Sequence, residues 1–308
     1  MKAIMYHYVR QYNPSLPYFR FLNFDNFKKQ LDYFEDNFGF VSQPEWTTWV
    51  NSGQMPAQPN KVILTFDDAM SCHYDYVYPE LLKRNLWGIF YISAQPYTTG
   101  EMLDVHRTHI LCGAFDGPTL LHACEKATSL EMLPNRTRQE FILQTYKNQD
   151  NYPGVSSFKR ILNYFADPTL KTKILDEIFD FLDYQIHANE FYVPKENLVE
   201  MSRNGMVIGS HSVTHTLLST LPPPKQESEI KDSFRFVDSI SKQQHRTYCH
   251  PFGGTRSYNE HTISILNKLN TDYAFSVDYR DITATDFSSS KQSLPRYDCN
   301  LFPHGEAS

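Results

Sequence analysis

Two acidic residues close the run Lys61-Val62-Ile63-Leu64-Thr65-Phe66-Asp67-Asp68, and two histidines close Val207-Ile208-Gly209-Ser210-His211-Ser212-Val213-Thr214-His215. Carboxylates and imidazoles are the side chains that hold divalent ions and move protons. Each pair follows a short apolar stretch of β-forming residues, so each stands where a buried strand leaves the core. Neighbouring strand side chains point to opposite faces, which lets one carboxylate hold a metal while the other serves as a base. Histidines four apart share one face of a helical turn, so both rings can reach a single ion. One oxygen and two nitrogens around an ion with an open position make a catalytic zinc arrangement. Taken alone, Asp-Asp is also what a surface turn carries, and H-x3-H is what an exposed helix carries. Their joint placement at two strand ends favours a site.

The elements that must position these residues alternate. Ala3 to Tyr8 reads as a strand that reaches His7, and Phe27, Leu31, Phe34 and Phe38 fall at helical spacing with Gly39 as the stop. A short helix carries Trp46 and Trp49 as core residues. After Asp68, the spacing predicts a helix over Tyr76 to Arg84 with Leu81 and Leu82 inward, then a strand over Trp87 to Ile92. Strand, helix, strand in this order is a βαβ unit with parallel strands and a right-handed crossover. The rhythm returns downstream with a helix through Ile230, Phe234, Val237 and Ile240 entered at Pro222-Pro223-Pro224. A strand over Arg246 to His250, a helix around Ile263 and Leu266 and a strand over Tyr273 to Val277 follow.

Residues 110–190 break the alternation. Helical patterns at Phe141 to Tyr146, Phe158 to Phe165 and Ile174 to Tyr184 are separated by Pro134, Pro153 and Pro168. The reading is an α/β chain forming one domain over residues 1–308, an irregular (β/α) barrel of parallel strands with a helical insertion at 110–190. Such a barrel carries its site at the C-terminal ends of its strands. The last residues, Gly305 to Ser308, are expected to fray.

Composition removes several function classes. A formal charge of −6 over 308 residues and a pI near 6.0 give no electrostatic case for nucleic acid. No apolar run approaches the roughly 20 residues of a membrane span. With 20 Tyr and 22 Phe, the chain can fill a core and still line a groove with rings. Met1 to His7 leads into no apolar stretch of signal-peptide length. Cys72, Cys112, Cys124, Cys249 and Cys299 are odd in number and show no C-x-x-C spacing. These features lead to the expectation of a cytoplasmic protein without a disulfide framework.

Thr65-Phe66-Asp67-Asp68 together with His211-Ser212-Val213-Thr214-His215 resembles the first two motifs of NodB-type polysaccharide deacetylases, carbohydrate esterase family 4. The resemblance runs from residue 1 to about residue 300, interrupted by the middle stretch. It implies that Asp68, His211 and His215 hold a divalent metal, with zinc the leading candidate among several first-row ions. It also implies that Asp67 is the general base that accepts a proton from the attacking water. Tyr248-Cys249-His250-Pro251-Phe252-Gly253-Gly254 resembles the third motif, in which the backbone N–H of Phe252 would donate to the developing oxyanion. Leu294-Pro295-Arg296 resembles the arginine motif that orients the base, so Arg296 would hold the Asp67 carboxyl down. Asp298, two residues on, would share Arg296's face on a strand.

Met5-Tyr6-His7 resembles the motif that opens the permuted exopolysaccharide-deacetylase branch, making His7 the proton donor to the leaving amine ahead of His304 in the tail. The family usually has Gly after the second Asp; Ala69 stands here and serves if its φ is negative. His250 is read either as a ligand contact or as a packed ring. Asp104, His106 and His109 have spacing that suits a metal, but they match no ligand motif and are read as groove or structural residues.

The resemblance implies metal-dependent removal of an N-acetyl group from an amino sugar or N-acetylated saccharide, with a carbohydrate as partner. Two other readings remain at this level: another C–N hydrolase, such as a deformylase on a small or lipid-linked substrate, and a non-catalytic carbohydrate-binding relative.

Overall fold

The computed structural model describes residues 1–139, 142, 145 and 151–307. The expected helix over Phe141 to Tyr146 falls largely outside the described residues. The chain divides into two compact units. One comprises Met1–Gln11, Phe21–Glu101 and Ala188–Ser308; the other comprises Tyr12–Arg20 and Met102–His187.

The first unit is built on seven parallel strands: β1 (Lys2–Tyr6), β4 (Val62–Asp67), β5 (Ile89–Ile92), β6 (Val207–Ser210), β7 (Thr247–Cys249), β8 (Tyr273–Phe275) and β9 (Tyr297–Asp298). Two further strands, β2 (Val9–Arg10) and β3 (Leu22–Asn23), pair separately. The large sheet has the order β8-β7-β6-β5-β4-β1-β9. Parallel pairing throughout places every strand's C-terminal end on one edge, as the βαβ rhythm predicts. The sheet curls: Leu294 donates to Ala274 O and accepts from Ser276 N beside β8, and three residues later Tyr297 pairs with Ile4 of β1. The segment around Arg296 therefore spans the two sheet edges, giving the irregular (β/α) barrel expected from the sequence.

Alternation along β4 divides the core. Val62, Leu64 and Phe66 pack outward with Phe27, Leu31 and Phe34 of the helix Phe24–Asn37 and with Leu81. Ile63 packs inward with Trp46, Trp49, Tyr91, Cys249, Tyr273 and Phe275. Thr65 and Asp67 continue that inner phase. Gly209 of β6 lets the Tyr91 ring enter the interior, since a Cβ there would lie 2.3 Å from Cε1 of that ring.

Several boundaries differ from the sequence reading. The stretch after Asp68 forms a π-turn over His73–Val77 before a short α-helix, Tyr78–Lys83. This rotates Leu82 to the surface, 44% exposed, while Leu81 stays buried. The C-terminal segment is held rather than frayed at its start. Gln30 Nε2 donates to Cys299 O (3.0 Å) and Pro303 O (3.1 Å), and buried Gly305 donates to Phe302 O.

The second unit is helical over its described residues. Its helices Asp104–Ala114, Gly117–Ala127, Val155–Arg160 and Lys171–Phe181 enclose their own core of Leu111, Leu120, Phe158, Leu162, Ile174 and Ile178. No helix among the described residues is long and apolar enough to cross a membrane.

Candidate active site

The ends of five neighbouring strands of the first unit converge. Tyr6 of β1 is level with Phe66 of β4, so one residue further His7 stands beside Asp67. Asp67 is level with Tyr91 of β5, and Tyr91 with Gly209 of β6. Ser210 is level with Tyr248 of β7, which brings His211 beside Cys249. The site follows from register.

Asp68 leaves the strand with φ +78°. This left-handed turn brings its carboxylate to the site that Asp67 faces from the inner phase of β4. Asp68 Oδ1 lies 3.6 Å from His211 Nε2 and 3.5 Å from His215 Nε2. Donors bonded to one tetrahedral ion at zinc–ligand lengths stand about 3.4 Å apart, so the trio fits a single divalent ion. The second ring nitrogen supports the fit: His211 Nδ1 donates to Cys249 O at 2.8 Å, which turns the Nε2 lone pair toward Asp68. Burial lowers the His211 pKa, with Asp67 and Asp68 opposing, and so favours the neutral ring that coordination requires.

His211 and His215 do not share a helical turn. Residues 211–217 form a loop without helix, because Ser212 (φ +65°) and His215 (φ +55°) are left-handed and interrupt an α-helical path. The rings meet edge to face at 4.8 Å. Glu229, on the helix Pro223–Ile240, pins this loop by accepting from Val213 N, Thr214 N and Thr214 Oγ1, each at 2.9 Å. His215 N donates to Ser212 Oγ. Glu229 escaped the sequence reading because an acidic residue on an exposed-looking helix carries no signal of a loop it will anchor.

Ala69 also has positive φ, +50°. The condition set for it from the sequence, a negative φ, is not met; the alanine is strained by roughly 1–2 kcal/mol. Phe252 is left-handed as well, φ +62°. Strained residues thus cluster around the trio, as they do where surrounding contacts fix a functional geometry.

Arg296 is buried, and all five of its N–H groups are engaged. Nε donates to Ser276 O; Nη1 donates to Thr65 Oγ1 and Asp67 Oδ1; Nη2 donates to Asp67 Oδ2 and Cys249 Sγ. Both Asp67 contacts are 2.8 Å, a bidentate pair. Burial pushes the Asp67 carboxyl up, but the charge and hydrogen bonds of Arg296 outweigh it and hold the group at about 2. His7 Nε2 lies 4.0 Å from Asp67 Oδ2, with its side chain 41% exposed and therefore reachable. His73 Nε2 approaches His7 O at 2.6 Å, and burial pushes the His73 ring down to about 4, so this neutral ring donates to the His7 backbone.

Phe252 N–H has no acceptor among the described residues, while Gly253 N and Gly254 N turn inward to His250 O and Phe252 O. Phe252's exposed ring stands 4.9 Å from the His215 ring. Gly253, φ +66°, completes the turn against Val277, where a Cβ would collide.

His250 is a packed ring. Its Nε2 donates to Gln292 O at 2.8 Å, it stacks on Tyr258 at 4.0 Å, and burial pushes it down to about 4. Asp298 follows Arg296 onto β9, where its carboxylate caps the turn Cys299–Leu301. His304 is exposed. Asp104, in the second unit, accepts from Arg107 and Thr172. Among the described residues, no three-donor metal group includes Asp104, His106 or His109. Cys249 was missed as a site residue. Its only sequence signal is its place on the strand leading into Pro251-Phe252-Gly253.

Fold and site together define a curled parallel α/β barrel that gathers a carboxylate–imidazole trio, an arginine-held carboxylate and a histidine at its strand ends. The family model described as polysaccharide deacetylase matches residues 165–274, a stretch that includes His211, His215 and Phe252 but not Asp67 or Asp68. The protein named "Putative polysaccharide deacetylase YxkH" of Bacillus subtilis (strain 168) is 33% identical over 81 residues, spanning 26% of this chain and 28% of that protein. Among solved structures, the Streptococcus pyogenes deacetylase PplD, in complex with acetate, aligns with a TM-score of 0.58 and 19% identity, covering 97% of this chain and 91% of that one. IcaB from Ammonifex degensii aligns with a TM-score of 0.54 and 14% identity, covering 96% and 89%. At these identities the two structures speak to the fold. The likeness to polysaccharide deacetylases in sequence thus rests on part of the chain, residues 165–274 for the family and 81 residues for the relative.

Proposed function

We propose that this chain is a metal-dependent hydrolase that removes N-acetyl groups from amino-sugar residues of a polysaccharide. The observation that carries the reading is the adjacency of two differently held carboxylates. Asp68 closes a three-donor trio with His211 and His215, while Asp67, one residue earlier, is kept out of that trio by Arg296. A bound divalent ion, zinc being the leading candidate, would polarise the acyl oxygen and acidify the attacking water, so that a carboxylate of low basicity can take its proton.

The chain's own residues divide the remaining work. Asp67 accepts the proton as the water oxygen bonds to the acyl carbon. Phe252 N–H donates to the oxygen on which negative charge collects, a role that a backbone group performs whatever its side chain. His7, reached from solvent and beside Asp67, gives a proton to the nitrogen as the C–N bond breaks, leaving acetate and a free amine. The exposed Phe252 ring offers an apolar surface beside the trio for the acetyl methyl or a sugar face.

The direct test is acetate release from an N-acetylated amino-sugar polymer. Turnover is expected to vanish when the ion is stripped by a chelator and to return on adding a divalent metal. Full turnover by chain shown to be metal-free would overturn the proposal.

The proton donor is tested separately. His7→Ala is expected to lower turnover by roughly 10²–10⁴ with metal content unchanged, whereas His304→Ala should leave turnover near wild type. Point substitutions are the right tool, because truncation at residue 303 would remove the Pro303 and Gly305 contacts that hold the C-terminal segment. The reverse pattern would move the donor to the tail.

A further inference from the structure

Besides the trio around Asp68, a second group of donors lies in the same site. Asp67, His211 and Cys249 each offer a ligand atom, and these atoms lie within 4.8 Å of one another. Cys249 Sγ is 3.6 Å from Asp67 Oδ2. All three residues are at most 2% exposed. A thiol, a carboxylate and an imidazole at this spacing suit a thiophilic divalent ion. The space between two of the donors is already taken: a single guanidinium nitrogen, Arg296 Nη2, sits 2.8 Å from Asp67 Oδ2 and 2.9 Å from Cys249 Sγ. A metal ion would approach the same two atoms, at about 2.0–2.3 Å.

We infer that Asp67, His211 and Cys249 form a latent thiolate metal site that the Arg296 guanidinium keeps closed. Arg296 repels a second cation and holds the lone pairs an ion would need. An ion entering there would bond to Cys249 Sγ with release of the thiol proton to solvent. It would also draw Asp67 and His211 away from the roles proposed above, since one imidazole nitrogen cannot serve both groups. Arg296 thus directs the ion to the oxygen- and nitrogen-donor trio and makes the site discriminate against thiophilic metals. The inference shares His211 with the proposed metal trio, but its readout is spectroscopic and does not depend on which bond the chain hydrolyses.

The probe is Cd²⁺, followed by its thiolate charge-transfer absorption in the ultraviolet, with bound metal counted in parallel. Wild-type chain is expected to bind Cd²⁺ without that band. Arg296→Leu should show it at one thiolate per ion, Arg296→Lys should not, and Arg296→Leu/Cys249→Ala should lose it, with folding followed by circular dichroism. A band in wild type, or none in a folded Arg296→Leu chain carrying Cd²⁺, overturns the inference. If Arg296→Leu does not fold, Asp68→Asn/His215→Ala decides the matter with Arg296 intact. That variant lacks two of the three donors of the other group and should show no thiolate band; a band there would mean that Arg296 does not close the site. Failure of deacetylation with these spectra as expected would instead count against the proposed reaction alone.

Discussion

Asp67→Asn is expected to lower turnover by roughly 10²–10⁴ while the chain keeps its divalent ion, whereas Asp68→Asn is expected to lose the ion itself. The difference follows from what each carboxylate touches. Asp68 Oδ1 is within 3.6 Å of both histidine Nε2 atoms, so removing its charge takes one of three donors from the proposed metal trio. Asp67 faces Arg296, Cys249 and His7. An amide there retains an acceptor for Nη1 but turns an NH2 toward Nη2, so one charge-assisted bond is lost at a cost of roughly 1.5–3 kcal/mol. Stability and metal content therefore have to be measured beside rate. Near-normal turnover in a folded, metal-loaded Asp67→Asn chain would remove Asp67 as the base. Equal metal loss in both variants would remove the division of labour.

How much of this was legible in the sequence depends on how local each feature is. Apolar runs ending in Asp67-Asp68 and His211 revealed the parallel strands, since buried strands of this kind are continuous and β-branched. Period-two alternation set Asp67 and Asp68 on opposite faces, but that Asp67 takes the inner face with Thr65 emerged only from the structure. What escaped was the backbone between and after the strands. Asp68, Ala69, Ser212, His215 and Phe252 all take positive φ, and none is the glycine that normally announces it. The H-x3-H spacing therefore suggested a helical turn where a loop held by Glu229 stands. That carboxylate lies 15 and 16 residues beyond its partners in sequence, a partnership that periodicity does not encode. Cys249 was passed over for a related reason. Its pairing with Arg296 and Asp67 spans 47 and 182 residues and exists only once the sheet has curled. Leu82 shows the smaller error of assuming a regular helix where a π-turn rotates the face that follows.

Replacing Arg296 by Leu is expected to cost about 3–5 kcal/mol at neutral pH, the usual consequence of leaving one member of a buried ion pair alone. The pH dependence identifies the cause. In the native chain Asp67 is held at about 2, below the roughly 3.9 of an unfolded aspartate. The pair's contribution is thus present above about pH 4 and is lost as pH falls from there through about 2. Without Arg296, burial is no longer outweighed and pushes the carboxyl up, so the sign reverses. The variant carries an unfavourable buried charge above its raised pKa and is relieved of it as the pH falls and the carboxyl protonates. Melting curves of the metal-free chains should show the penalty at pH 7 shrinking at pH 5. The acid limb of turnover should move to higher pH as Asp67 becomes protonated in the assay range. A penalty that is the same at pH 7 and pH 5, with an unmoved acid limb, would mean that Arg296 acts by packing against Tyr91 and Phe275 and not by holding Asp67 ionised.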